Sequence, residues 1–119
     1  MNENAAALMR ANLLEVFGER DVERRAQAAA RIYADDVAFA DEDGVITGRR
    51  AITARAQELL DGVPAEFAFV EDGPIYGVGS RAALAWRFGA PGAEPVARGV
   101  DIATIVDGRI SALETLLAG

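Results

Sequence analysis

The chain contains no histidine and no cysteine, so acid–base chemistry near neutral pH falls to carboxyl groups with shifted pKa, or to Tyr33 or Tyr76. Two aspartates stand out by position. Asp101 sits in the middle of a strand-like run, Val96 to Val106, on the side shared by Ala97, Gly99, Ala103 and Ile105. A carboxyl group among such neighbours is poorly solvated, and its pKa rises unless something holds it ionised. Asp41 closes the alternating run Val37 to Asp41, on the side of Val37 and Phe39, and so shares an apolar face as well. Each has a plainer reading. Asp41 is also a strand-end residue opening the turn Glu42-Asp43-Gly44, and Asp101 is equally able to pair with Arg87 or Arg98. Without cysteine there are no disulfides, thiolate nucleophiles or zinc–sulfur sites. A metal would need an all-oxygen site of the magnesium or calcium kind, and neither metal nor cofactor is expected.

The elements that must position these acids follow from periodicity. Asn4 to Phe17 reads as one helix through Leu8, Leu13, Val16 and Phe17, ended by Gly18. Asp21 caps a second helix that carries Val22, Ala26, Ala29, Ala30 and Tyr33, its alanines suggesting a closely packed face, with Asp35 and Asp36 solvating its exit. The strand Val37 to Asp41 turns at Asp43-Gly44 into Val45-Ile46-Thr47. Gly48-Arg49 opens a third helix, with Ile52, Ala56, Leu59 and Leu60 inward, stopped by Gly62 and Pro64. Five strands are expected after that: Glu66 to Glu71, Ile75 to Val78, Ala82 to Phe88, Val96 to Val106, and Arg109 to Leu117 beyond the Asp107-Gly108 turn. Three helices followed by consecutive strands predict a single α+β domain over 1–119, a cone-shaped curved antiparallel sheet wrapped around three N-terminal helices. Trp86 shares a strand face with Leu84 and Phe88, which makes it core or cavity wall.

At 119 residues, half of them apolar and with a net charge of −7, the chain is one globular domain. The negative charge argues against nucleic acid. All 12 cations are arginines, scattered along the chain. No run approaches the roughly 18 apolar residues of a membrane span. The polar start Met1-Asn2-Glu3-Asn4 lacks a basic leader, so a cytoplasmic location is expected.

Two stretches carry a resemblance. Tyr33-Ala34-Asp35-Asp36-Val37-Ala38-Phe39-Ala40-Asp41, followed by Gly48-Arg49, resembles the helix-to-strand passage of ketosteroid isomerases. Gly99-Val100-Asp101-Ile102, followed by Asp107-Gly108-Arg109-Ile110, resembles the penultimate strand and last hairpin of SnoaL-like proteins. Nearly the whole chain is thus similar to the nuclear transport factor 2-like superfamily, in its SnoaL-like and ketosteroid isomerase-like branch. That resemblance implies a catalytic base at Asp41 and a hydrogen-bond-donating acid at Asp101, two carboxyls of divergent pKa sharing a dry pocket. It also implies a homodimer formed through the outer sheet face. The first-helix tyrosine that serves the isomerases as oxyanion donor has no counterpart, since its place falls near Asn12 or Leu13. The acidic base on the last strand of the related polyketide cyclases corresponds to Thr115.

Two functions are therefore open. One is a cofactor-independent isomerase, cyclase or lyase for a small hydrophobic carbonyl compound, with Phe17, Tyr33, Phe39 and Trp86 binding the substrate. The other is a non-catalytic small-ligand-binding or dimerisation module. A limonene epoxide hydrolase-like reaction is a further alternative, and needs an Asp-Arg-Asp constellation. A cavity of roughly 300 Å³ or more, with both acids on its wall and no arginine partners, favours the enzyme.

Overall fold

The computed structural model describes residues 3–119; Met1 and Asn2, which open the polar start read above, lie outside them. Helix α1 (Glu3–Ala11) runs directly into a π-helical turn (Asn12–Phe17), followed by α2 (Val22–Ile32), β1 (Tyr33–Asp41), β2 (Gly44–Thr47) and α3 (Arg49–Asp61). Strands β3 (Ala68–Glu71), β4 (Tyr76–Val78), β5 (Arg81–Gly89), β6 (Ala97–Val106) and β7 (Arg109–Leu117) complete the chain. None of the helices among the described residues is long and apolar enough to cross a membrane.

The first helix is not the continuous α-helix that its spacing predicts. Gly18 donates its N–H to the Leu13 carbonyl at 2.9 Å, five residues back, the closure that widens a helix into a π turn. The extra residue turns Asn12, Leu13, Val16 and Phe17 all inward. The second helix buries a face that overlaps the expected one only in part: Ala29 and Tyr33 are buried, Ala26 and Ala30 are exposed. Val22 is exposed, while Arg25, Ala28, Ala29 and Ile32 are buried. The reason is tertiary: Arg25 finds the Glu19 carbonyl at 2.9 Å and Gln57 Oε1 at 2.6 Å, so its charge is hydrogen-bonded inside and the helix rotates to bring it there.

All seven strands form one sheet in the order β2-β1-β7-β6-β5-β3, with β4 paired to β5 beside β3. The expectation of a wholly antiparallel sheet needs one correction, because β1 and β7 run parallel. The first and last strands are brought side by side by everything between them, so no local turn fixes their direction. The sheet bends at irregularities in the β1–β7 and β6–β7 pairings. It does not close into a barrel, since β2 and β3 remain as edges.

Strand β1 starts at Tyr33, so Asp35 and Asp36 lie on the strand rather than at a helix exit. Arg49 binds there, to Asp35 at 2.5 Å and to the Tyr33 carbonyl at 2.7 Å. The core lies between the helices and one sheet face, where β5 contributes Ala82, Leu84, Trp86 and Phe88 in strict alternation.

Candidate functional site

Antiparallel pairing sets Asp101 of β6 opposite Thr115 of β7 and Leu84 of β5. Trp86 lies two residues farther along β5, opposite Gly99. Thr115 and Trp86 thus flank Asp101 on its own face of the sheet, and the π turn brings Asn12 to the same point. Asp101 is 4 % exposed and accepts three hydrogen bonds. Thr115 Oγ1 donates to Oδ1 at 2.8 Å, Trp86 Nε1 to Oδ1 at 3.0 Å, and Asn12 Nδ2 to Oδ2 at 3.1 Å. Asn12 is itself fixed, because Tyr33 donates its hydroxyl to Asn12 Oδ1 at 2.5 Å.

Among the described residues no arginine reaches Asp101. Arg87 pairs with Asp72 at 3.2 Å, and Arg98 occupies the opposite face of β6. Burial raises the Asp101 pKa from 3.8 to about 6, against the opposing pull of the Thr115 and Trp86 hydrogen bonds. Burial also pushes the Tyr33 phenol well above its usual range, helped by the nearby Asp101 charge, so Tyr33 stays a neutral donor.

Asp41 is bound differently. Its Oδ1 accepts the Asp43 N–H at 2.9 Å, and its Oδ2 receives Arg55 Nε and Nη2 at 3.0 and 2.8 Å. Arg55 also pairs with Asp43. The two carboxylates hydrogen-bond the guanidinium and raise its pKa further. Asp41 is therefore both the turn-opening residue of its plainer reading and one half of an ion pair.

Both acids line one cavity of about 120 Å³. Phe17, Phe39, Phe69, Trp86 and Leu13 form its apolar wall, and Glu42, Leu59, Thr115 and Leu117 complete the lining. Of the substrate-binding residues expected from sequence, Phe17, Phe39 and Trp86 stand on this wall. Tyr33 does not: it is fully buried behind Asn12. The cavity is smaller than the ligand pockets of roughly 300 Å³ and above that hold drug-sized molecules. It is close to the cavity of about 150 Å³ that holds benzene in an engineered protein core. It fits one small ring or a branched group of similar size.

Arg55 and Phe69 have no site role in the sequence reading, and Asn12 enters it only as the neighbourhood where the isomerases carry their oxyanion tyrosine. Asn12 carried a signal, as a polar residue in a stretch that otherwise turns Leu8, Met9, Leu13 and Val16 inward. Thr115 was marked only as the place where a cyclase carries its base. Arg55 offered no local pattern, since it reaches Asp41 across 14 residues of sequence.

Among curated proteins none matches the chain. Solved structures do. A SnoaL-like family protein from Agrobacterium tumefaciens str. C58, described as a candidate isomerase, superposes with a TM-score of 0.88 at 24 % identity, over 99 % of this chain and 100 % of that one. A candidate ketosteroid isomerase from Kribbella flavida DSM 17836 gives 0.69 at 21 %, over 98 % and 79 %. A candidate SnoaL-like polyketide cyclase from Jannaschia sp. CCS1 gives 0.75 at 13 %, over 96 % and 84 %. At these identities the likeness is one of fold, which fixes neither reaction nor substrate. The family model for the SnoaL-like domain matches residues 11–113. That segment holds the π turn, strands β1 to β6 and most of the core, ending within β7 two residues before Thr115, and the chain belongs to the SnoaL-like domain family.

Proposed function

We propose that the protein is a cofactor-independent proton-transfer enzyme, an isomerase, cyclase or lyase acting on a small apolar carbonyl compound, and that Asp101 exchanges the proton. The observation that carries this is a buried carboxyl group on an apolar cavity wall, held by three neutral donors and, among the described residues, by no cation; burial pushes its pKa up to about 6. At pH 7 such a group is roughly nine-tenths carboxylate, so it acts as a base, and its pKa lies near the working pH as efficient general catalysis requires. The division of labour then differs from the one the family resemblance implies. Asp101 takes the proton next to the carbonyl and returns it to a second atom, while Asp41 and Arg55 brace the β1–β2 turn at the cavity.

The same geometry narrows the substrate. The side-chain N–H and O–H donors on the wall, Trp86 Nε1 and Thr115 Oγ1, both point at Asp101. Little is left to stabilise an enolate oxygen, and one missing oxyanion donor lowers rates by about two to three orders of magnitude. The reading therefore favours compounds whose C–H bond is already acidic. The epoxide hydrolase alternative draws little support, because no arginine accompanies Asp101.

The test is hydrogen–deuterium exchange into small cyclic β,γ-unsaturated ketones, whose C–H between carbonyl and alkene is already acidic, in D2O, followed by NMR with the native protein and D101N. Faster exchange with the native protein is expected; equal exchange with both removes the proposal.

A second reading, a ligand-binding or dimerisation module, is favoured by two observations: Asp41 is engaged by Arg55, and the cavity is only about 120 Å³. In either case we propose a homodimer through the outward face of β5–β7. Support for it comes from Ala83, Ala85, Val100, Ile102 and Leu116, which alternation turns away from the core to give an apolar outer surface.

A further inference from the structure

The arginines of the described residues are engaged away from Asp101, wherever a partner is recorded. Arg10 pairs with Glu71, Arg31 with Glu15, Arg49 with Asp35, Arg55 with Asp41 and Asp43, Arg81 with Glu114, and Arg87 with Asp72. Arg25 is satisfied by Glu19 and Gln57, and Arg20 by the Pro64 and Phe67 carbonyls. The aromatic cavity therefore holds a buried carboxylate whose three partners are neutral donors. Glu42 adds a further acid to its lining. Buried charge without a counter-ion is unfavourable, and it is relieved when a ligand brings the opposite charge.

We infer that the cavity takes a small apolar cation, a compound carrying a protonated or quaternary nitrogen on a hydrocarbon body of about five or six carbons. Two features of the wall suit this class together. The carboxylate supplies the opposite charge at short range, in surroundings that screen poorly. Phe17, Phe39, Phe69 and Trp86 supply aromatic rings, which attract cations where neutral polar groups gain nothing. The inference rests on the proposed function only in placing the ligand in this cavity. It deepens that function too, since a cationic nitrogen beside the reacting carbon acidifies its C–H bond, which offsets the shortage of oxyanion donors. An amino ketone or an iminium compound combines both properties. With an iminium ion the step balances simply: the C–H bond breaks, its proton goes to Asp101, its electron pair forms C=C, and the C=N pair becomes a nitrogen lone pair. An ion pair is thereby converted into two neutral partners in a dry cavity.

The titratable groups facing Asp101 are few. Tyr33 stays neutral behind Asn12, and Asp41, paired with Arg55, and Glu42 line the same cavity. The α1–π segment, β5 and β7 present Asn12, Trp86 and Thr115, none of which titrates near neutrality.

The experiment compares cyclopentylammonium with cyclopentanol, which have the same ring and differ in charge. Binding is followed by NMR at the Trp86 indole N–H, from pH 5 to pH 8. The ammonium is expected to bind at least about tenfold more tightly than the alcohol at pH 8. Its advantage should fade as Asp101 protonates below about pH 6, and Asp101 should titrate at least about one unit lower when the ligand is bound. In D101N the two should bind alike. Equal binding at pH 8, a preference that does not change with pH, or no binding of either ligand overturns the inference. The native protein's pH series does not depend on whether D101N folds. If the ammonium shows no preference while ketone exchange still depends on Asp101, this inference fails alone. If the preference appears without exchange, the proton-transfer reading fails alone.

Discussion

Trp86 and Gly99 face each other across β5 and β6, and a Cβ on Gly99 would sit 2.6 Å from the indole Cζ2 and 2.6 Å from the Leu116 carbonyl oxygen. Only a glycine lets the indole lie against the strand there and extend Nε1 to Asp101. The first prediction is that G99A destabilises the fold by about 1–3 kcal/mol, the usual cost of overpacking. It should also displace the indole. With one donor to the charged form removed, the Asp101 pKa should rise further. Urea unfolding and the Trp86 indole resonance check both parts; an unmoved indole would show that the contact is slack.

The second prediction concerns stability and pH. The folded-state pKa of Asp101 is raised, from 3.8 to about 6, so the native state holds its proton more tightly than the unfolded chain. Its contribution is fully present below about pH 4 and is lost as pH rises through about 6, a change of about 3 kcal/mol. Other carboxyl groups titrate over the same range, so the measurement is the difference between native and D101N unfolding free energies at pH 4.5 and 7.5. Relative to native, D101N should gain stability as pH rises. Parallel profiles would mean that Asp101 is not buried as a carboxylate.

The third prediction separates the two acids. In any proton-transfer reaction found for the protein, D101N should lose about two to four orders of magnitude in kcat. D41N should lose less than about tenfold, since Asp41 is occupied by Arg55 and the Asp43 N–H. R55M should lower stability by about 1 kcal/mol or less, as expected for a partly exposed ion pair. A larger kcat loss in D41N than in D101N would restore the roles that the family resemblance implies.

The fourth prediction tests the buried relay. Y33F removes the donor that fixes Asn12 Oδ1, leaving a buried acceptor unsatisfied at about 1–3 kcal/mol. It also frees the Asn12 amide to turn, weakening its bond to Asp101, so the Asp101 titration should move upward. An unchanged titration with the stability loss alone would make Tyr33 a packing residue only.

Much of the architecture was legible from local chemistry. Asp43-Gly44 and Asp107-Gly108 marked hairpins, and Asp107 and Gly108 both adopt positive φ, at 52° and 77°. Asp21 caps its helix by accepting the Arg24 N–H at 2.9 Å, and β7 spans Arg109–Leu117 as its pattern predicts. What was not legible depended on distant partners. The parallel direction of β1 and β7 has no turn to announce it. The burial of Arg25 follows from acceptors on another helix and a loop carbonyl, so the alanine pattern of α2 found Ala29 but missed the rotation that buries Arg25 and Ala28. At the site, alternation put Asp101 and Trp86 on apolar strand faces and the family resemblance marked Thr115, whereas the meeting of these faces, Arg55 and the π turn that delivers Asn12 became visible only in three dimensions.

The most direct test of the account is the pKa of Asp101, measured by carboxyl-carbon NMR titration of the native protein. A midpoint near 6 is predicted, marking a buried acid poised to exchange protons at neutral pH. A midpoint near 4, the value of an ordinary solvated carboxyl group, would contradict it and leave the cavity as a binding site without a base.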